Sequence, residues 1–559
     1  MTTTLEPGGF VNRMPRYEIL SDDAMATIER GWRRLISEVG IRFDHQGAQR
    51  LFREAGQRVD DEGVVRLDPD FVLEHIALAP ASFELRARNP RRSVTIGGDH
   101  MVFTNVGGPP FVLEDGVRRD AVFDDLERFI KLAHVYDQID SQGGHPCEPS
   151  DLPLDSRHLD TQFAALTLSD KPHMGALFTG AKARDGIEMA AIAFGGRAEL
   201  DRGPVMYGIA NVNSPLSYDS AMVDLLFAYA EANQAVVVTP FLLMGAIFTG
   251  AKALDGIEMA AIAFGGRAEL DRGPVMYGIA NVNSPLSYDS AMVDVLFAYA
   301  EANQAAVVTP FLLMGAMSPV TIPAALVQQT AEALAGVALV QLVRPGAPVV
   351  LGSFLSHIDM QSGSPGFGGP ESGLGLLCSG QIARRLGLPW RAGGGGLTSS
   401  PRPDTQAAYE ALITHQAAFL SGANLMLHAA GWLESGLVAS FEKFVVDIEL
   451  LRILRAEFTP FAIDEASLAF DAHLEVGHGG HFLGAAHTLT RFRDCFYRPM
   501  LSTTANYERW NRDGARDSSA RADGLWREAL ERYAEPPMDD GIRAELDDYR
   551  VRRRAELGD

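Results

Sequence analysis

Cysteine is scarce in this chain of 559 residues, and the three that exist do not pair. Cys147, Cys378 and Cys495 stand far apart and in no metal-knuckle spacing. That excludes a disulfide framework and a cysteine-built zinc site, and makes buried, inert thiols the expectation. Positive charge is short as well, with 49 Lys and Arg against 72 Asp and Glu and a formal net charge of −23. No dense basic stripe is available for a phosphate backbone, so nucleic acid is not the expected partner. Apolar runs such as 331–343 are broken by glycine or charge well before the roughly 20 residues that span a bilayer. The opening MTTTLEPGGFVNR has no basic start leading into an apolar stretch. A cytoplasmic protein without membrane contact is expected.

Glycine, by contrast, is plentiful at 55 residues, which suits an α/β enzyme better than a helical bundle. Residues 17–38 read as an amphipathic helix with Met25, Ile28, Trp32, Leu35 and Ile36 on one stripe and Ser21 or Asp22 as cap. Helices follow at 46–55 and 68–76. The period then shortens to strands at 83–87, 92–96 and 101–105, and Asp115-Gly116 predicts a hairpin over 112–119. Residues 1–120 are taken as a mixed N-terminal region. From 121 to 500 short apolar strands alternate with helices, as in a parallel β/α fold. The strands are expected at 205–209, 235–241, 275–279, 305–311, 337–342, 349–354, 386–391 and 424–429. So many units fit a TIM-type (β/α)8 barrel, with the site just after the strands. Helices are expected at 440–456 and 463–475, and a charged helical segment at 501–559 anchored by Trp510, Trp526, Leu530 and Tyr533.

Residues 174–243 recur as 244–313 with four differences, Leu177/Ile247, Arg184/Leu254, Leu225/Val295 and Val236/Ala306. Solenoid repeats keep a pattern while their side chains drift; here surface and turns are copied too. The word Met-Gly-Ala stands at the start of each copy and again after the second, as slipped recombination or misassembly would leave it. A closed barrel has a fixed strand number and shear, so one copy is surplus to eight strands.

Several polar stretches follow the predicted strands. Tyr277, Asn281, Asn283 and Ser284 stand in YGIANVNSPL, with Tyr207 and Asn211 in the other copy; Ser353, His357, Asp359, Ser364 and Glu371 lie in an irregular Gly/Pro/Ser loop. The third stretch, WRAGGGGLTSSPRPDTQAAYE at 390–410, reads as a strand end, a glycine-rich mouth and a helix. There Ser399 or Ser400 is a candidate cap and Pro403 suits a first helical turn. Gly393–Gly396 is neither a Rossmann fingerprint nor a P-loop with its lysine, and Ser353/His357/Asp359 lacks the Gly-x-Ser-x-Gly elbow of a hydrolase. His478, His481 and His487 invite a metal, but Gly479 and Gly480 weaken a helix between the first two and no HExxH pattern joins them. No protein-bound metal is expected.

SDKPHMG at 169–175, NSPL at 283–286, TPFLLMGAMSPVT at 309–321, GPESG at 369–373, SSPRPDTQAAYE at 399–410 and GGHFLGAAHT at 479–488 occur in an order that resembles the trimethylamine methyltransferase family, in its branch without pyrrolysine. The resemblance covers most of the chain after residue 15, one copy of the repeat excepted. It implies a TIM-barrel methyltransferase that moves a methyl group from a methylated amine to Co(I) of a corrinoid on a separate partner protein. Only standard residues occur, so a quaternary amine such as glycine betaine is favoured. A quaternary ammonium departs as a neutral amine and needs no general acid, which leaves positioning as the main task. On that reading Tyr277, Trp390, Tyr409 and Phe482 face the cation, and His357, Asn281, Gln406 and His481 are polar partners. Glu371 and Asp404, with His357, shape the reacting field, and Gly393, Gly394 and Gly395 approach the cofactor. Alternatives are trimethylamine, proline betaine, carnitine or another N-methyl donor, a non-catalytic amine-binding or corrinoid-partner protein, and a chain whose barrel the duplication destroys. A homo-oligomer is compatible with all of them.

Overall fold

The structure, a computed structural model, describes residues 9–79, 82–85, 87–142, 146–153, 156–174, 189–196, 206–211, 235–239, 277–282, 284–288, 293, 296–297, 300, 305–347, 349–426 and 428–558. The fold is mixed α/β, with several sheets and a helical layer. Near the start, the helix Asp22–Arg34 begins where Ser21 accepts a bond from Ala24 N and buries Ile28 and Trp32. It starts later than its periodicity suggests because the preceding chain is tied elsewhere. Tyr17 N donates to Leu420 O, and Leu20 N donates to the Gln381 side chain. The predicted hairpin forms between Phe111–Glu114 and Val117–Asp120, and Asp115 and Gly116 both take positive φ, 51° and 76°, as a tight hairpin turn demands.

A parallel ladder organises the rest. Tyr277–Asn281 pairs with Ala305–Thr309, which pairs with Val349–Gly352, then Trp390–Ala392, then Leu425–Met426, then His100–Phe103. A parallel bridge joins Thr104 to Ser141, and Gln142 N donates to Pro172 O at 2.8 Å. His173–Met174 then pairs with Met206–Asn211, and that strand with Ala235–Thr239. The ladder therefore takes one strand, His100–Phe103, from the region expected to precede it. Both copies of the repeat contribute two strands each to the ladder; Asn283 lies outside the described residues.

One predicted strand is a helix. Residues 337–342 belong to Ile322–Val343, buried along most of its length. A helix enclosed on every side is as uniformly apolar as a buried strand, so periodicity could not separate them. By length and composition it is the one described helix able to cross a membrane, although most of it is buried inside the protein. Its buried Glu332 accepts bonds from Ser284 Oγ (2.6 Å) and Leu286 N (2.7 Å), and its carbonyl accepts from the Tyr288 hydroxyl (2.6 Å). Tyr288 stacks on Phe43 at 4.8 Å, and Ser287–Tyr288 pairs with Ile41–Phe43. The second copy is thus stitched to the N-terminal region.

The helix Phe441–Glu457 is capped by Ser440 and packs against Ser518–Arg532, where Trp526 stacks on Phe441 at 4.8 Å. The helix expected over 463–475 is divided into Glu465–Leu468 and Phe470–Val476 by Ala469, whose φ is +52°. Cys147 and Cys378 are buried, and burial pushes their thiols up, Cys378 to about 11. Cys495, expected to be buried, is exposed.

Candidate functional site

The strands of the ladder end together, and the residues just past them form one wall, at the end where β/α folds carry their sites. Two short strands, Phe311–Met314 and Phe354–His357, prolong it and pair in parallel. Their first residues, Phe311 and Phe354, stack with ring centroids 4.2 Å apart. Phe354 meets Phe367 edge-on at 5.5 Å, Phe367 lies parallel to Trp432 at 6.4 Å, and Trp432 stacks on His428 at 4.5 Å with only 2° between the planes. A continuous row of rings follows.

Arg391 adds charge to that wall. Trp390, its neighbour in the strand, donates from Nε1 to Ser353 Oγ at 2.9 Å and turns its ring toward the helix layer. A Cβ built on Gly380 of helix Pro370–Leu386 would lie 3.0 Å from that ring. Alternation along the strand puts Arg391 on the opposite face, where it is partly exposed. Its charge reaches His428: burial first, then Arg391, holds that imidazole down to about 4. His428 is therefore neutral near pH 7. Its φ of +58° is a conformation a side-chain-bearing residue rarely adopts.

Behind the wall, three groups fix the loops. Glu410 accepts from Thr398 Oγ1 (2.5 Å), Ser399 N (2.9 Å) and Gln406 Nε2 (2.9 Å). Lys443 and Asp447, both wholly buried, pair at 2.5 Å; Lys443 Nζ also donates to Gly396 O and Asp447 accepts from Gly431 N at 2.8 Å. His415 is buried beneath the glycine run, and burial followed by the charge of Lys443 holds its pKa down to about 3.

Against this geometry the expected site residues separate into groups. His357 and Glu371 do meet: Nδ1 and Oε2 are 3.7 Å apart at the rim, both about one third exposed. Asp404 instead caps the helix Thr405–Ser421, accepting from Ala407 N and Ser400 Oγ, each at 3.0 Å. The cap expected of Ser399 or Ser400 is supplied there, and Pro403 precedes it. Gln406 is committed to Glu410. Tyr409 is 51% exposed on that helix, and Trp390 is a packing residue of the helix layer. His478, His481 and Phe482 are exposed in a C-terminal excursion and His487 is half-buried there. The side chains of Tyr277 and Asn281 lie outside what the structure describes.

The glycine run has an internal purpose. Gly393, Gly394 and Gly395 are buried. A Cβ at Gly393 would lie 2.8 Å from the Phe354 ring and 2.9 Å from Ser353 O, one at Gly395 would lie 2.9 Å from His415 Nδ1, and Gly394 has φ +106°. The bare backbone lets the loop pack onto the strand ends, so these residues do not offer an open cradle. Ser353, His357 and Asp359 form no relay: Ser353 Oγ is held by Trp390, and Asp359 by Ser362 and Gln361 N. Arg391, His428, Glu410, Lys443 and Asp447 were missed. Strand alternation outward from Trp390 would have found the first.

A cleft of about 510 Å³ opens at the other end of the ladder, beside Arg16, Asp99, Arg384, Pro389 and Asn424. Its arginines are staples. Arg16 binds Asp99, Asn12 O and Met14 O, and Arg384 binds Ser421 O. Among the described residues, Asp115, Glu442 and Asp523 are the acidic group close enough to share a cation, and Arg527 already pairs with both aspartates, at 3.3 and 2.9 Å.

Comparison with known proteins agrees with the sequence. A glycine betaine methyltransferase of Desulfitobacterium hafniense (strain Y51) is 34% identical over 547 residues, which is 98% of this chain and 99% of that one. The trimethylamine methyltransferase MttB of Desulfitobacterium hafniense (strain DSM 10664 / DCB-2) is 30% identical over 293 residues, 52% of this chain and 58% of its own length. The crystal structure of the Methanosarcina barkeri monomethylamine methyltransferase MtmB aligns with 93% of this chain and 90% of its own. At 10% identity and a TM-score of 0.33, that alignment carries no argument. The family model for trimethylamine methyltransferase (MTTB) matches residues 3–249 and again 247–558, changing from one match to the next at the junction of the repeat. Matched over nearly its whole length, this chain belongs to the trimethylamine methyltransferase family.

Proposed function

We propose that this protein takes a methyl group from a quaternary amine that carries a carboxylate, glycine betaine foremost, and passes it to a corrinoid held by a separate protein. The observation that carries the reading is Arg391 beside an aromatic row. Aromatic faces attract a quaternary ammonium by about 0.5–2 kcal/mol each. Phe311, Phe354 and Trp432, each partly exposed, supply such rings without hydrogen-bonding a methyl group, and buried Phe367 holds them in line. A fixed guanidinium next to them repels a bare cation but suits a zwitterion, whose carboxylate its charge attracts. Neutral His428 adds no further positive charge.

The residues present fit a corrinoid that stays on its carrier. The wall offers rings and an arginine, and its imidazole, His428, is stacked on Trp432 at 4.5 Å. Val320 and Met360 are exposed beside Gly315 at the rim and give a carrier an apolar margin. The bound corrinoid's cobalt supplies the nucleophile that accepts the methyl group. This chain's part is to hold the ammonium, fix the carboxylate and keep the loops rigid. Because the leaving amine is neutral, no proton has to be delivered to it, and His357 with Glu371 serve the rim.

We also read the ladder as a closed barrel, with residues 121–500 as the bulk of the methyltransferase domain. Ten parallel segments line up from Val102–Phe103 through His173–Met174 to Leu425–Met426, and the strands Ala235–Thr239 and Tyr277–Asn281 lie side by side where a ladder would close. Removal of one copy leaves eight. Since diameter grows with strand number, the duplication would widen the lumen.

Calorimetric titration tests the substrate reading, with glycine betaine and tetramethylammonium as paired ligands. Wild type should prefer the betaine. Arg391→Ala should weaken betaine binding by about 10–150-fold, the 1.5–3 kcal/mol of a hydrogen-bonded charge, and leave tetramethylammonium unchanged or tighter. Equal weakening of both ligands would sink the assignment of Arg391.

A further inference from the structure

Between Phe458 and Arg498 the chain leaves the body of the protein and comes back to the helix it left. At one root Phe458 N still donates to Leu454 O; at the other Arg452 reaches Arg498 O and Met500 N donates to Glu449 at 3.1 Å. Past Thr459, whose N–H still donates to Ala456 O, the described backbone bonds of the excursion close within it, and Ala486 N donates to Glu475, both inside it. Its helices are short: Glu465–Leu468, Phe470–Val476 and Ala486–Arg491. Helices of that length do not persist alone in water.

The composition of its surface is the anomaly. Phe461, Ile463, Phe470, Leu474, Leu483 and Phe496 each keep 67–79% of their surface open, whereas monomeric proteins rarely leave contiguous apolar patches uncovered. We propose that residues 459–497 form an arm that seats on a second copy of this chain, which returns its own arm. If each such side chain has about 150 Å² to lose, six at these exposures offer roughly 600 Å² per arm. Two arms with the surfaces they cover then exceed the roughly 1,200–2,000 Å² of a stable interface. Permanence decides between occupants. A carrier that shuttles between enzymes would leave the arm bare after each visit, and transient contacts are small and comparatively polar. A second copy is always present, and twofold symmetry lets one arm serve both sides. This inference stands apart from the substrate assignment.

Sedimentation equilibrium of the full chain tests it, beside Phe470→Glu and Leu483→Glu. Wild type should sediment at twice the chain mass or an even multiple, and each variant should shift toward a single chain with its far-ultraviolet circular dichroism intact. Hydrogen exchange on wild type should show protected amides in Phe470–Val476 and Ala486–Arg491. A wild type that is monomeric at every concentration overturns the proposal. So does an oligomer that survives both substitutions, an arm that exchanges freely while the oligomer persists, or an arm protected only after a corrinoid protein is added.

Discussion

Lys443 and Asp447 allow the sharpest test of how the wall is held. Both side chains are wholly buried and 2.5 Å apart, and burial outweighs attraction in each: the lysine is lowered and the aspartate raised to about 6. Desolvation therefore consumes much of what the pair gains. Lys443→Met or Asp447→Asn alone leaves one uncompensated buried charge and should cost about 3–5 kcal/mol. At about 2.1 cal/mol/K per residue the unfolding entropy of the chain is about 1.2 kcal/mol/K, so each single variant should melt about 3–4 °C lower. The double variant keeps an acceptor for Gly431 N, gives up the buried charge pair and the long bond to Gly396 O, and leaves one amide N–H to satisfy; it should melt within about 2 °C of wild type. The pH sign follows. A carboxyl whose folded pKa is raised contributes stability that is complete below its unfolded value and is lost as pH rises through about 6. Without its lysine the aspartate titrates higher still, so the deficit of Lys443→Met should shrink as scanning calorimetry is moved from pH 8 toward pH 5. A double variant that melts as low as the two singles combined, or a deficit indifferent to pH, refutes the reasoning.

The aromatic row gives a contrast. Trp432→Leu should weaken glycine betaine by up to about 30-fold, the 2 kcal/mol upper range of a desolvated cation–aromatic contact, whereas Tyr409→Ala, on an exposed helix face, should leave titration unchanged. Loss of affinity in Tyr409→Ala with none in Trp432→Leu would return the site to the helix. Deleting residues 174–243 should raise the melting temperature and the soluble yield, because the proposed barrel would then have eight strands to close. A lower melting temperature would mean that both copies are native parts of the fold.

Much of this arrangement was legible in one dimension. The Asp115-Gly116 turn, the Ser21 cap, the strands before residues 310 and 393, and the duplication are local features, fixed by turn geometry, side-chain reach or plain identity of sequence. Family membership belongs with them, since it rests on the order of short motifs. The site was legible only in part. His357 and Glu371 are brought together at the rim, but Trp390, Asp404 and the glycines were singled out because their chemistry suited a ligand, and packing gives them other tasks, while Tyr409 stands exposed on its helix. Which face of a short strand looks inward depends on a helix layer far away in sequence. Trp390 turns outward because Ser353 and Gly380 receive it, and that alone places Arg391 inward. The row from Phe311 to Trp432 spans more than a hundred residues and exists only where four loops converge. Sequence settled the local turns, the caps and the kinship. Tertiary structure decided which side chains share a space, because that choice is made by partners distant along the chain.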